Sequence, residues 1–323
     1  MQPKLVRSIF YPILRGSGSI AGFAVVICLT ATLAFTVTAQ AADSAESRKV
    51  IRQVDRLFRQ ANYTQAEKLL RTLIVADPEN SLAKLKLAHV LLRSRHVVEA
   101  YELSLPIAKA DPTNPYALSI LASTLVAAGN FVDAEQIFVR AIQLNKKEAL
   151  AWAGLGMIDY YENRTNESVI NLREATFYAP DTADFVFSLA QVSARAELYK
   201  EAADAYQRFL ELSSDADQER RDRIKGLINF LRFLGNKTSL YSTGGKETTK
   251  INFELIGNRP VLSVSVNGRS EPMKFILDTG SGITVISEDA AKTLNIKAIT
   301  RGGFAKGIGG DGKFEIIYGF VRE

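Results

Sequence analysis

Ala66, Ala100, Ala134, Ser168 and Ala202 stand 34 residues apart along the chain. Leu87, Leu121, Leu155 and Leu189 keep the same spacing, each followed by Ala88, Ala122, Gly156 or Ala190. Pro78, Pro112 and Pro180 mark it again, with Lys146 in the remaining slot. A fixed period of this length leaves few options: each period is one supersecondary unit, too small to bury its own apolar face, so neighbours must stack into a solenoid. One period, "PYALSILASTLVAAGNFVDAEQIFVRAIQLN", shows the unit. Apolar residues at spacings of three and four predict a helix, Gly129-Asn130 breaks it, and a second helix follows. A small residue at one position of each helix lets the two backbones approach. The proline after the second helix stops it, because the ring cannot continue a helix.

This pattern resembles the tetratricopeptide repeats (TPR), with Trp152, Leu155 and Gly156 matching the first-helix signature. Five units fit residues 47 to 215, the first degraded by Gln53 where later units carry Leu. The amphipathic stretch "DQERRDRIKGLINFLRFLG" looks like the terminal cap of such a stack, giving a solenoid over 47–235. The resemblance implies an all-α partner-binding array whose concave surface is made by the first helices, holding a protein partner. His89 and His96 then read as ordinary helix histidines and the run "DQERRDR" as a solvated face. Asn62, Asn163, Asn166 and Asn236 each begin an Asn-x-Ser/Thr triplet, a pattern common by chance.

The N-terminus reads as an address. Lys4, Arg7 and Arg15 precede an apolar core, "IAGFAVVICLTATLAFTV", and then Ala39-Gln40-Ala41. Basic flank, apolar core and small-x-small site predict a secretory signal peptide over 1–41, with export to a bacterial periplasm or the medium. The alternative is an uncleaved single-pass anchor, since the core approaches the ~20 residues that span a bilayer. Membrane contact is expected only in that case. The sole cysteine, Cys28, lies in this stretch, so the remainder has no disulfide framework. Two histidines and no further cysteine argue against zinc and against His-based triads. No metal and no cofactor is expected. A formal charge of +5, from 40 basic and 35 acidic residues, is too mild for a nucleic-acid partner.

After Gly235 the helical period stops. Residues 236–250, "NKTSLYSTGGKETTK", read as a flexible linker. From Ile251 the period becomes two: Leu262, Val264 and Val266 alternate with Ser263 and Ser265, and Asn267-Gly268 signals a hairpin. "ISEDAAKTLNI" predicts a short helix with Ser287 as N-cap. Within this region lies "KFILDTGSGITVIS", an apolar triplet (Phe275, Ile276, Leu277) followed by Asp278-Thr279-Gly280-Ser281. Gly307, Gly309 and Gly312 formally make a G-x-G-x-x-G, and Gly307, Gly312 and Lys313 a G-x-x-x-x-G-K. Phosphate cradles of that kind must open a helix, whereas "FEIIYGFV" reads as strand and Phe314 replaces the required Ser or Thr.

The triplet with Asp-Thr-Gly-Ser resembles the active-site signature of aspartic proteases, and the order of elements is similar to the single-lobe retropepsin-like family. The resemblance implies an all-β domain with one short helix over 251–323. Asp278 would be the catalytic acid, delivered by a buried strand. Thr279 would clamp the turn, Gly280 would permit close approach, and Ser281 would bond near the carboxylate. Gly307, Ile308, Gly309 and Gly310 would form the flap over a peptide or protein substrate. The family's chemistry needs two carboxylates and this chain supplies one such motif, so the resemblance implies a homodimer with an Asp278 from each copy. The pattern departs from the family after Lys313, where further strands and an apolar-apolar-Gly segment are expected. The 73 residues from Ile251 to Glu323 fall short of the order of 100 such a domain needs. The domain is therefore expected to be incomplete, as in a piece of a longer protein. Two functions compete: an exported aspartic endopeptidase that recruits substrate through its repeats, and an interaction scaffold with an inert protease-like domain.

Overall fold

A computed structural model of the chain describes residues 45–60, 62–213, 218–237, 240, 248, 250–280, 284–306 and 312–321. The signal or anchor segment and most of 236–250 lie outside the described residues.

Ten helices pair as the period requires: α1 (Ala45–Arg59) with α2 (Tyr63–Ala76), α3 (Ser81–Arg93) with α4 (Val97–Ala110), α5 (Pro115–Ala127) with α6 (Phe131–Leu144), α7 (Ala149–Tyr161) with α8 (Thr165–Tyr178), and α9 (Ala183–Arg195) with α10 (Tyr199–Leu212). The five residues at the 34-residue position, Ala66 to Ala202, are all 0% exposed. They sit where the two helices of a hairpin touch, so size there is limiting. Where Ser168 replaces alanine, its hydroxyl donates to the Gly156 carbonyl at 2.6 Å, which satisfies the added polar atom. A side chain on Gly156 would strike Leu172, with Cβ 2.7 Å from its Cγ. Asparagines start four of the helices. Asn62, Asn80, Asn114 and Asn130 accept from the backbone N–H groups of Gln65, Ala83, Ala117 and Asp133.

A further helix, α11 (Gln218–Gly235), continues the stack. Ile224, Ile228 and Leu231 join Tyr206 and Phe209 in one buried cluster. In the polar run at its start Gln218 and Arg220 are exposed, as expected of a solvated face, but the two arginines also make contacts. The Arg220 guanidinium lies over the rings of Phe187 (4.7 Å) and Phe209 (5.1 Å), and Arg221 donates to the Ser213 hydroxyl at 3.0 Å. Arginine can do both because its planar, weakly hydrated head stacks on rings while still donating.

The C-terminal region is β-rich. Strands β1 (Glu254–Ile256), β2 (Arg259–Val264) and β3 (Met273–Ile276) form an antiparallel sheet in the order β1-β2-β3. Gly257 and Asn258, both at positive φ, make the tight β1–β2 turn; Asn267 and Gly268, also both positive, turn the chain between β2 and β3. The short helix α12 (Glu288–Thr293) is capped by Ser287, whose oxygen accepts from the Ala290 N–H. Asn267 and Arg269 donate to the carbonyls of Leu294 and Thr293, which ties the end of α12 to the hairpin turn. Strands β4 (Ala298–Lys306) and β5 (Lys313–Gly319) form a separate antiparallel pair that packs on α11. Among the described residues no helix is long and apolar enough to cross a membrane.

Candidate functional site

Asp278 stands two residues past the end of β3. The pair Val261↔Ile276 is the last in the ladder, and Leu277 still donates to the Pro260 carbonyl at 2.9 Å. Asp278 leaves the sheet there and its carboxylate oxygen Oδ1 accepts from the Gly280 N–H at 2.9 Å, closing a side-chain turn. A side chain on Gly280 would crowd that oxygen, with Cβ 3.3 Å from it. Asp278, Thr279 and Gly280 are all exposed. Ser281 and the flap residues Gly307, Ile308, Gly309 and Gly310 lie outside the described residues.

The triplet before Asp278 is not the buried strand that the sequence led us to expect. Ile276 is 55% exposed and Leu277 49%. Leu277 continues the face of Phe275 beyond the ladder, whereas Ile276 pairs with Val261 on the opposite face, beside Lys274. Leu255, Pro260, Leu262, Val264, Met273 and Phe275 are cross-strand or next-but-one neighbours and so share one face. That face is apolar throughout, and a strand side chain is buried only where a second layer covers it. Among the described residues α12 reaches the turn end of the sheet, where Val266 and Leu294 are buried; at the other end Val261 is buried, while Leu255 and Leu277 stay exposed.

A second constellation lies on the first helices of the repeats. Lys86 pairs with Asp55 at 2.7 Å, and the half-buried His89 ring sits 4.5 Å from the Phe58 ring with Nδ1 3.4 Å from the Tyr116 hydroxyl. Burial, reinforced by the positive charges of Lys86 and Arg93, pushes the His89 pKa down to about 3. Burial likewise pushes Tyr116 up, and pushes Glu148 up against the hydrogen bonds it accepts. Arg93 of α3 reaches Asp184 of α9 at 2.8 Å, a contact between first helices of the second and fifth hairpins. Sequence reasoning missed this cluster. The available signal was that Asp55 and His89 occupy the same position of successive repeats, as do Arg59 and Arg93. His96 starts α4 without a side-chain cap bond and is exposed. Among the described residues no group of three His, Cys, Asp or Glu side chains is placed to hold a metal.

Stacked helical hairpins of one fixed period, followed by a β-rich segment with an Asp-Thr-Gly turn, define a tetratricopeptide-repeat solenoid joined to an aspartyl-protease-like region. Family models described as tetratricopeptide repeat match residues 57–124 and 159–217, and one described as aspartyl protease matches residues 262–322. Solved structures similar to the chain are TPR proteins. A thermophilic TPR protein of Thermus thermophilus, TTC0263, is 19% identical over 56% of this chain and 98% of its own, with a TM-score of 0.47. PilF of Pseudomonas aeruginosa is 16% identical over 58% and 86%, with a TM-score of 0.41. MamA of Desulfovibrio magneticus RS-1 is 15% identical over 53% and 97%, with a TM-score of 0.34. No curated protein matches.

Proposed function

We propose that the protein is an exported aspartic-type endopeptidase whose two active carboxylates are the Asp278 side chains of two copies, with the solenoid at 47–235 recruiting the substrate or a partner. The protease-type region spans 251–323 and residues 236–250 link the two. The observation that carries this reading is the exposed Asp-Thr-Gly turn at the end of β3, inside the stretch matched by the aspartyl protease family.

Two carboxylates about 3 Å apart cannot both ionise, so the pair shares one proton. The ionised member takes a proton from a water held between them, and the water oxygen attacks the scissile carbonyl carbon. The protonated member donates to the carbonyl oxygen. The resulting gem-diol collapses, the C–N bond breaks, and the amine leaves with a proton returned by the pair. Exposure of Asp278 in one copy supports the reading, since a second carboxylate must be able to approach it.

Half a site does nothing alone, so specific activity on an unfolded protein substrate should fall as the enzyme is diluted below its dimer dissociation constant. A specific activity independent of dilution would remove the dimeric dyad. The second reading is a TPR interaction scaffold with an inert protease-like region. It is favoured by the open apolar triplet beside Asp278, which in one copy leaves the acid without a packed brace.

A further inference from the structure

We propose that the outward face of α11 is a docking site for the β4–β5 hairpin, fixing the C-terminal region to the solenoid at a set position rather than leaving it on the tether of residues 236–250. Its consequence for catalysis rests on the protease reading above: the hairpin of the protease-type region would be held against the end of the stack that takes up the substrate or partner.

The two sides of α11 have different partners. Ile224, Ile228 and Leu231 face the solenoid. Arg223, Gly226, Phe230 and Phe233 recur at three and four residues on a neighbouring face and meet the hairpin. The Tyr318 ring stacks on Phe230 at 4.9 Å, and Phe320 meets Phe233 edge-on at 6.0 Å. Arg223 donates to the Phe304 carbonyl at 2.9 Å. Between the rings and this bond the two backbones come into contact. A Cβ on Gly226 would lie 2.3 Å from Gly302 Cα and 2.4 Å from the Arg301 carbonyl oxygen, and neither can swing aside.

The sequence is shaped for this contact on both partners. Gly226 interrupts an 18-residue helix, where glycine is a poor choice unless something must approach the backbone. Opposite it, the ladder carries one extra residue between Arg301↔Ile317 and Phe304↔Glu315. The extra residue falls at Gly302-Gly303, with Gly303 at φ 73°. Such a bulge bends the strand and re-aims it, here onto α11. A helix that only closed the stack would need a polar outer face, not a glycine and two phenylalanines.

Hydrogen exchange on the full protein tests the proposal by its sign. Alanine forms helix better than glycine, so in a mere cap Gly226→Ala would raise protection of α11 and leave residues 313–319 unchanged. Docking predicts the reverse at the hairpin. Overpacking two backbones should speed exchange at 313–319 at least ~10-fold, with α1 to α9 unaffected. Phe230→Ala, which removes the α11 ring that Tyr318 stacks on, should do the same without altering the backbone contact. If Gly226→Ala also loosens α11, Phe230→Ala decides: unchanged exchange at 313–319 in that variant overturns the proposal. Asp278→Asn serves as the separating control, because it should alter cleavage and leave hairpin exchange as in wild type. Docking without any cleavage would remove the protease reading and leave the docking site standing.

Discussion

The Tyr318 ring of β5 lies parallel to the Phe230 ring of α11, with centroids 4.9 Å and planes 17° apart. This pair is the apolar centre of the contact between the last solenoid helix and the C-terminal hairpin. Burial raises the Tyr318 pKa, partly offset by the charge of Arg223. Replacing Phe230 by alanine removes an aromatic contact of about 0.5–1.5 kcal/mol beyond the lost burial. It should bring the Tyr318 titration down toward that of a free tyrosine. Absorbance of phenolate against pH, compared between wild type and Phe230→Ala, measures this.

His89 makes the solenoid sensitive to acid. In the unfolded chain a histidine takes its proton near 6.5, whereas the folded ring resists it until about 3. A depressed folded pKa means its contribution is intact above pH 6.5 and is lost as pH falls through that window. The loss is at most about 1.4 kcal/mol per pH unit. The surrounding groups act together: Lys86 and Arg93 repel the proton, Phe58 and Tyr116 exclude water, and Asp55 is engaged by Lys86. His89→Gln should flatten the fall in urea midpoint between pH 7 and pH 4. An acid optimum for peptide cleavage would then be cut short by the repeats rather than by the carboxylates.

Arg95, Gly129, Asn163 and Glu197 are spaced by 34 residues and all hold positive φ, at 63°, 80°, 62° and 61°. This left-handed residue follows the first helix in four of the hairpins, a position suited to glycine. Nothing lies within 4 Å of a Cβ at Gly129, so Gly129→Ala should cost about 1 kcal/mol from conformation alone. Arg95→Gly should gain a similar amount. Both are read from denaturant midpoints at unchanged slope.

Ser193 has a buried hydroxyl without a hydrogen-bond partner. Ser168, equally buried, donates to Gly156. Ser193→Ala should therefore stabilise by about 1 kcal/mol, and Ser168→Ala should not, since there a satisfied bond is lost. Thermal unfolding of the two variants gives the comparison.

The solenoid was legible because a fixed period states the same packing problem five times. Ala66 through Ala202 needed no more than their spacing. The Arg93–Asp184 contact was not legible, since it depends on the curvature that accumulates from small rotations at each repeat. The β-strands could be read from Leu262 and Val264, but alternation defines a face without saying what covers it, so the burial of Ile276 and Leu277 was overestimated. The docking of α11 had a signal, Gly226 within a helical pattern, which the acidic and basic residues around it obscured.

The most direct test of the proposed activity is the rate of peptide cleavage by Asp278→Asn against wild type, at equal concentration above the dimer dissociation constant. Asn keeps an oxygen to accept from the Gly280 N–H, so the turn is preserved while the ionisation is removed. The account predicts cleavage lowered by at least ~10²-fold, the lower end of what a positioned acid or base contributes, with dimer mass and helical content unchanged. Cleavage by Asp278→Asn at the wild-type rate would contradict it.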